Sequence, residues 1–403
     1  MRLKTVNARG APALGITLLL ASLSMISPLS IDTFLPSFPT IAQQFNLTSW
    51  EVQQIITAYL LPFACFSLVH GPLSDALGRR TVVIGGLVLY TIGSIGCILA
   101  PTFATLLFCR VLQGMAAGIG PTVARAVVRD LFDGANAQKL MSSMFLVFSL
   151  APAVGPIIGG WIHVALGWRW VFGMLAVIGV ALIVTCSLLL PETHPRAQRS
   201  RFHVGELARN CWDVATRPAY FLLAVSAALA FASIFIYIGS APAIIMQRWH
   251  LDETQFYYIF IPVVAGFMVS SLLGGRMADR VSRRAQMTAG FALLCTSGLI
   301  GVIAHLFTAA VWIPLVQLLW FCMALGAQMT YPVLSLEMID MFPRARGAAA
   351  SVQAFIALGV GAVAMGMIAP MLHGDLRLLA WISLAMGVTG WLAWRAGSSL
   401  QRR

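Results

Sequence analysis

Lysine is almost absent from this 403-residue chain: Lys4 and Lys139 are the only two among 26 basic residues. Neither follows a GxxxxG run, so no Walker-type lysine is available to cradle nucleotide phosphates, which argues against an ATP-driven pump. HExxH, GxSxG and CxxC are also missing, which removes the common metalloprotease, serine-hydrolase and thiol-redox chemistries. Charge of either sign is scarce. Only 10% of residues are charged, against about 25% in soluble domains, while 59% are hydrophobic. A water-soluble fold with that composition could not cover itself in polar surface. The seven cysteines (65, 97, 109, 186, 211, 295 and 322) are odd in number and scattered through apolar runs. They read as small packing residues, with no disulfide framework, metal site or cofactor expected.

What the chain has in abundance is long apolar runs. They fall at 12–35, 50–73, 81–100, 103–125, 138–162, 168–190, 218–243, 254–276, 286–306, 311–336, 346–371 and 377–396. Each suffices for a bilayer crossing, which takes about 20 residues as a helix. The expected fold is therefore an all-α membrane protein of twelve transmembrane helices. Pro28, Pro62, Pro152, Pro156, Pro242, Pro262 and Pro332 interrupt several runs; in a membrane, neighbouring helices re-satisfy the backbone groups that proline frees. The first run, preceded by Arg2, Lys4 and Arg9, reads as a retained helix rather than a cleaved signal.

Net charge is +12 and the isoelectric point is near 10. In a soluble chain that would suggest nucleic acid; here the basic residues flank membrane runs. With the N-terminus cytoplasmic, 22 basic residues fall in inside segments and Arg169, Arg248 and Arg377 outside, with Arg110 within a run. This positive-inside asymmetry predicts a multi-pass bacterial inner-membrane protein with both termini cytoplasmic.

Residues 193–217 are polar and basic and read as a cytoplasmic linker, with a surface helix near 204–213. They separate two halves, 1–192 and 218–403. An internal repeat supports the division: GPLSDALGRR at 71–80 and GRMADRVSRR at 275–284 lie 204 residues apart, at equivalent places in each half.

Residues 71–80 resemble the loop signature of the major facilitator superfamily through Gly71, Asp75, Gly78, Arg79 and Arg80, with Ala76 where a basic residue is usual. Gly71 is expected to allow close helix packing, Asp75 to accept hydrogen bonds at a helix N-terminus, and Arg79 to pair across a cytoplasmic gate. The repeat adds Asp279, Arg280 and Arg283 as counterparts. RVLQG at 110–114 is similar to the fourth-helix signature of proton-coupled members. An arginine inside a span costs at least about 2.5–3.5 kcal/mol, so Arg110 needs partners and is a functional candidate. APAVGPIIGG at 151–160 resembles the fifth-helix antiporter signature through Gly155, Pro156, Gly159 and Gly160, which pack backbones closely and kink the span.

Asp32, in SPLSIDTFLPSFP at 27–39, is the acid best placed inside an apolar run, and its burial cost makes it the expected proton site. The Asp-x-x-Leu-Pro pattern, with RAVVRD at 125–130 and GWRWVF at 167–172, resembles the bicyclomycin/chloramphenicol-resistance (Bcr/CflA) drug:proton antiporters. A second acid carried by a related exporter type is Ser24 here, which points away from a two-carboxylate mechanism. Tyr59, Gln113, Met144, Phe148, Tyr237 and Tyr331 are expected to complete a substrate pocket, and Glu337 to serve as a gate partner. The resemblance implies a monomeric exporter of drugs or other small amphiphilic molecules, driven by the proton gradient. An importer of a nutrient such as a nucleobase or sugar is the alternative; a sensor or channel fits the short loops and two-half repeat less well.

Overall fold

Inside a bilayer no water is available to bond exposed peptide groups, so each apolar run closes its own backbone as a helix. The computed structural model describes residues 14–132, 134–199, 202–277, 281–307, 312–343 and 345–401. Among them, twelve helices are long and apolar enough to cross a membrane. Spans 1 to 6 are Gly15–Phe45, Ser49–Leu77, Arg79–Leu99, Phe103–Leu131, Val147–Leu166 and Trp168–Leu189. Spans 7 to 12 are Pro218–Gly239, Tyr257–Gly274, Arg283–Phe307, Ile313–Asp340, Arg346–Met371 and Leu376–Leu400. A connecting helix, Val204–Ala215, lies between the sixth and seventh.

The helix breaks do not fall where most of the prolines in the runs suggest. Pro28, Pro62, Pro152, Pro156, Pro262 and Pro332 all sit inside continuous helices. Span 1 instead stops being α-helical after Asp32, passes through a 3-10 turn at Leu35–Ser37, and resumes as Phe38–Phe45. Pro36 and Pro39 explain this, since each lacks the N–H that a continuous helix would use. Span 4 breaks at Gly118, three residues before Pro121. Pro242 is followed by a π-helical segment, Ala243–Arg248, and span 11 carries another at Ala364–Ile368.

The chain divides into two compact units: residues 1–41 with 58–207, and residues 42–57 with 208–403. In unit 1, span 1 packs on spans 4 and 5, and span 3 on spans 4 and 6. Unit 2 repeats the scheme, span 7 packing on spans 10 and 11 and span 9 on spans 10 and 12. Lipid is as apolar as the side chains, so close backbone approach rather than hydrophobic burial drives such packing, and small residues mark the contacts. A Cβ on Gly114 would meet the Tyr59 backbone, and one on Gly120 the Leu23 carbonyl. Unit 2 includes the first turns of span 2: Gln53 Nε2 donates to the Gly239 carbonyl at 2.7 Å and Gln54 Nε2 to that of Gly366 at 3.2 Å.

The units differ in buried chemistry. The buried polar side chains of unit 1 include Asp32, His70, Arg79 and Arg110. Those of unit 2 are serines, glutamines, a threonine and one histidine, with no Asp, Glu, Lys or Arg among the described residues.

Candidate functional site

A buried polar network of unit 1 gathers around Arg110, which is 0% exposed. Its Nη1 donates to Gln113 Oε1 at 2.8 Å and its Nη2 to the Ser30 carbonyl at 3.1 Å. The guanidinium carbon also lies 4.4 Å from the ring centres of both Phe34 and Tyr59, and 5.8 Å from that of Phe172. Desolvated cation–π contacts contribute about 2 kcal/mol each, and hydrogen bonds to a charged group about 1.5–3 kcal/mol. Together they offset the insertion cost of the arginine.

The groups that hold these partners are themselves bonded. Gln113 Nε2 donates to Ser94 Oγ at 2.7 Å, and Ser94 Oγ donates to the Tyr90 carbonyl at 2.9 Å. Ser30 Oγ bonds the Tyr90 hydroxyl, and Tyr59 Oη donates to the Ser27 carbonyl at 3.2 Å. Spans 1, 2, 3 and 4 are thereby joined through one buried polar network, with Phe172 of span 6 against it. Such a network fixes geometry because any partner removed leaves a buried polar group without one.

Asp32 is 5% exposed and sits where the first helix of span 1 ends. It lies against span 5: a Cβ on Gly155 would be 3.6 Å from Asp32 Cβ, Leu29 Cδ2 and Thr33 N. One turn on, a Cβ on Gly159 would strike the Thr33 carbonyl, with the carbonyl carbon 2.7 Å away. Gly155, Pro156, Gly159 and Gly160 are all buried. The antiporter-like signature therefore forms the surface on which the interrupted part of span 1 rests. Lipid-depth backbone outside a regular helix is tolerated only where protein or a cavity covers it.

The other expected pocket residues divide between the units. Tyr59 and Gln113 belong to the Arg110 network; Met144 is buried and Phe148 half-buried on the span 5 helix. Tyr237 and Tyr331 belong to unit 2, where Tyr237 packs on Trp320 at 5.5 Å and Tyr331 edge-on to Phe231 at 5.1 Å. Glu337 is half-buried near the end of span 10. Ser27, Ser30, Phe34, Tyr90, Ser94 and Phe172 also take part in the Arg110 site, although the sequence pattern did not point to them. The signals for them were slight: the Ser-Pro-Leu-Ser run and the lone tyrosine of span 3.

At one end of unit 1, Arg79 organises a second charged cluster. Its Nε donates to Asp130 Oδ2 at 3.1 Å, its Nη1 to Ser74 Oγ at 2.6 Å and to Asp75. Its backbone N–H donates to Glu192 Oε1 at 2.9 Å. Asp130 also accepts from Thr193 Oγ1 at 2.7 Å, Glu192 pairs with Arg199 at 3.5 Å, and Arg80 donates to the Ser187 carbonyl. Gly78, at φ +96°, starts span 3 in a conformation that side chains rarely adopt, and a Cβ there would strike Glu192 and Arg199.

Three expectations change here. Asp75 takes the Arg79 guanidinium one turn away; the carboxylate at the N-terminus of span 3 is that of Glu192. Arg79 finds its partners within its own unit, on span 2, at the end of span 4 and just after span 6. Gly71 is not a close-packing contact, since a Cβ there would meet nothing within 4 Å. Of the repeat, Asp279 and Arg280 lie outside the described residues. Arg283 pairs with Asp340 at 3.8 Å, both side chains more than half exposed. That pair joins the start of span 9 to the end of span 10, as Arg79–Asp130 joins the start of span 3 to the end of span 4.

Twelve spans in two similarly packed units, with Arg110 held in a buried polar network, define a multi-pass membrane protein, and its relatives make it a transporter and not an enzyme. The chain belongs to the Major Facilitator Superfamily, whose family model matches residues 20–239 and 223–400. It is 26% identical over 366 residues to the bicyclomycin resistance protein homolog of Haemophilus influenzae, covering 88% of each chain. It is 28% identical over 268 residues to the chloramphenicol resistance protein of Pseudomonas aeruginosa, covering 65% of this chain and 62% of that one. Among solved structures, the human organic anion transporter MFSD10 (TETRAN) shares the fold at a TM-score of 0.69 and 16% identity, over 94% of this chain and 99% of the other.

Proposed function

We propose that this chain is a proton-driven exporter of drugs or related small amphiphilic molecules. It works by alternating access, as a monomer, in the bacterial inner membrane with both termini cytoplasmic. The observation that carries the reading is Asp32: a buried carboxyl at the break in span 1, resting on Gly155 of the antiporter-like signature. The resistance proteins it resembles agree with drug export, and the basic excess flanking the spans supports the orientation.

In this scheme Asp32 takes a proton while open to the outside, where the proton neutralises a carboxylate that is expensive at membrane depth. Substrate arriving from the cytoplasmic side displaces that proton. Arg110 is held by its own network against the Ser30 carbonyl and the Phe34 ring, which flank Asp32 in span 1, and its fixed positive charge is the one against which proton and substrate exchange at Asp32. One proton moving down 100 mV supplies about 2.3 kcal/mol, which sustains roughly fiftyfold accumulation of a neutral substrate.

The test is proton release from purified protein in weakly buffered detergent on addition of chloramphenicol or a lipophilic cation. Release is expected from the native chain and lost in Asp32→Asn. Undiminished release from Asp32→Asn would remove Asp32 from the carrier role. Uptake in the same direction as the proton, measured in inverted vesicles, would favour the nutrient importer instead.

A further inference from the structure

Span 4 is two helices. The first, Phe103–Ala117, ends at Gly118, and the second, Ile119–Leu131, begins at once. Pro121 accounts for the break, having no N–H for the Ala117 carbonyl four residues earlier and a ring that crowds it. Side chains of neighbouring spans hold the carbonyls at the break. Ser27 Oγ of span 1 donates to the Ala117 carbonyl at 2.6 Å. His70 Nε2 of span 2 lies 2.9 Å from the Met115 carbonyl.

A carbonyl only accepts, so His70 Nε2 carries a proton. The other ring nitrogen, Nδ1, is buried without a hydrogen-bond partner in a side chain only 1% exposed. It faces the α-carbon of Gly118, where a Cβ would lie 2.6 Å from Nδ1 and 2.8 Å from Phe63 Cε2. The imidazole is thus seated on the break itself, in a space only glycine leaves open.

The two halves of span 4 carry different chemistry. Arg110 and Gln113 lie before the break, and Asp130, which holds Arg79, lies after it. Span 2 runs past both. Its Tyr59 lies on Arg110, its Ser74 accepts from Arg79, and His70 comes between them. Tyr59, Phe63, Ser67, His70 and Ser74 recur at three- and four-residue spacing, which places them along one helix face.

We propose that His70 is the positioning residue of a hinge in span 4, its Nε2–H bond to Met115 holding the Arg110 half and the Asp130 half in register. A break whose carbonyls are held by side chains can bend by exchanging those bonds while both flanking helices stay intact. Coupling between the buried network and the charged cluster then passes through this junction.

The hinge is testable without substrate, so its failure is separable from failure of the export reading. Amide hydrogen exchange of the full chain in lipid nanodiscs is followed over residues 115–123 and 126–131. His70→Phe keeps a ring of similar size without the donor; His70→Gln keeps a donor; Gly118→Ala crowds Nδ1. Exchange over 115–123 is expected to rise about tenfold in His70→Phe and Gly118→Ala, the effect of one buried hydrogen bond, and to stay within about twofold of native in His70→Gln. Coupling is read by adding Arg110→Lys. It should speed exchange over 126–131 in the native and His70→Gln backgrounds, and lose that effect in His70→Phe. Native-like exchange in both His70→Phe and Gly118→Ala would overturn the hinge. So would His70→Gln behaving like His70→Phe, or an Arg110→Lys effect indifferent to His70. Should His70→Phe fail to fold, Gly118→Ala decides for or against the hinge alone.

Discussion

Replacing Asp130 with Asn tests whether burial and multiple bonding, rather than ion pairing as such, give the Arg79 cluster its strength. The guanidinium and carboxylate are 3.1 Å apart, with their side chains 9% and 22% exposed, and Asp130 also accepts from Thr193. A hydrogen bond to a charged group contributes about 1.5–3 kcal/mol. Asparagine retains an acceptor, so the loss is the charge-dependent part, about 1–2 kcal/mol. The repeat supplies the control. Arg283 and Asp340 are 3.8 Å apart with side chains 59% and 58% exposed, and a solvated pair of that kind is worth about 0–0.5 kcal/mol. For a unit of this size, 1 kcal/mol corresponds to roughly 2–4 °C in melting temperature. Asp130→Asn should therefore melt about 2–8 °C lower, and Asp340→Asn no more than about 2 °C below native. The assay is thermal unfolding of the purified chain with a thiol-reactive dye, which buried Cys97, Cys109 and Cys186 report on exposure. Equal losses in the two variants would sink this account, because topologically equivalent pairs would then count alike regardless of burial.

Helix packing and the Arg110 network give further outcomes. Gly159→Ala should abolish transport and lower the yield of folded protein, because the added methyl strikes the Thr33 carbonyl and overpacking costs about 1–3 kcal/mol. Gly71→Ala should leave thermal stability unchanged by the same melting assay, since its methyl meets no atom. Arg110→Lys keeps the charge but loses the planar fork that reaches both Gln113 and Ser30. Uptake into proteoliposomes should fall at least about tenfold, and full activity in that variant would mean that charge alone suffices.

Much of the architecture is legible in the sequence, because the bilayer imposes a length on every crossing. Arg110 and Asp32 stand out for the same reason: a charge among apolar residues is expensive and must be answered by partners. Glu192 was not legible as a partner of Arg79. Its carboxylate reaches that backbone N–H across 113 residues of sequence, and nothing local in Pro-Glu-Thr announces the contact. The role expected of Asp75 went to Glu192 because Asp75 stands one turn before Arg79, within direct reach of its guanidinium. The prolines show the same limit. Those inside continuous helices and those at breaks look alike in sequence; at the break before Pro121 it is a neighbouring span, through Ser27, that takes the freed Ala117 carbonyl.

Twelve helices, a 204-residue repeat, and the few charged residues that membrane burial makes costly can all be read along the chain. These depend on hydropathy, length and charge, which are properties of segments. Folding in three dimensions was needed to place Arg110 between Phe34 and Tyr59, Asp32 on Gly155, and His70 at the break in span 4. Those contacts depend on how each helix is rotated about its axis and where its backbone touches the next. In a bilayer, where most faces of a helix are equally apolar, the pattern of residues along one helix does not fix that rotation; the close contacts between helices do.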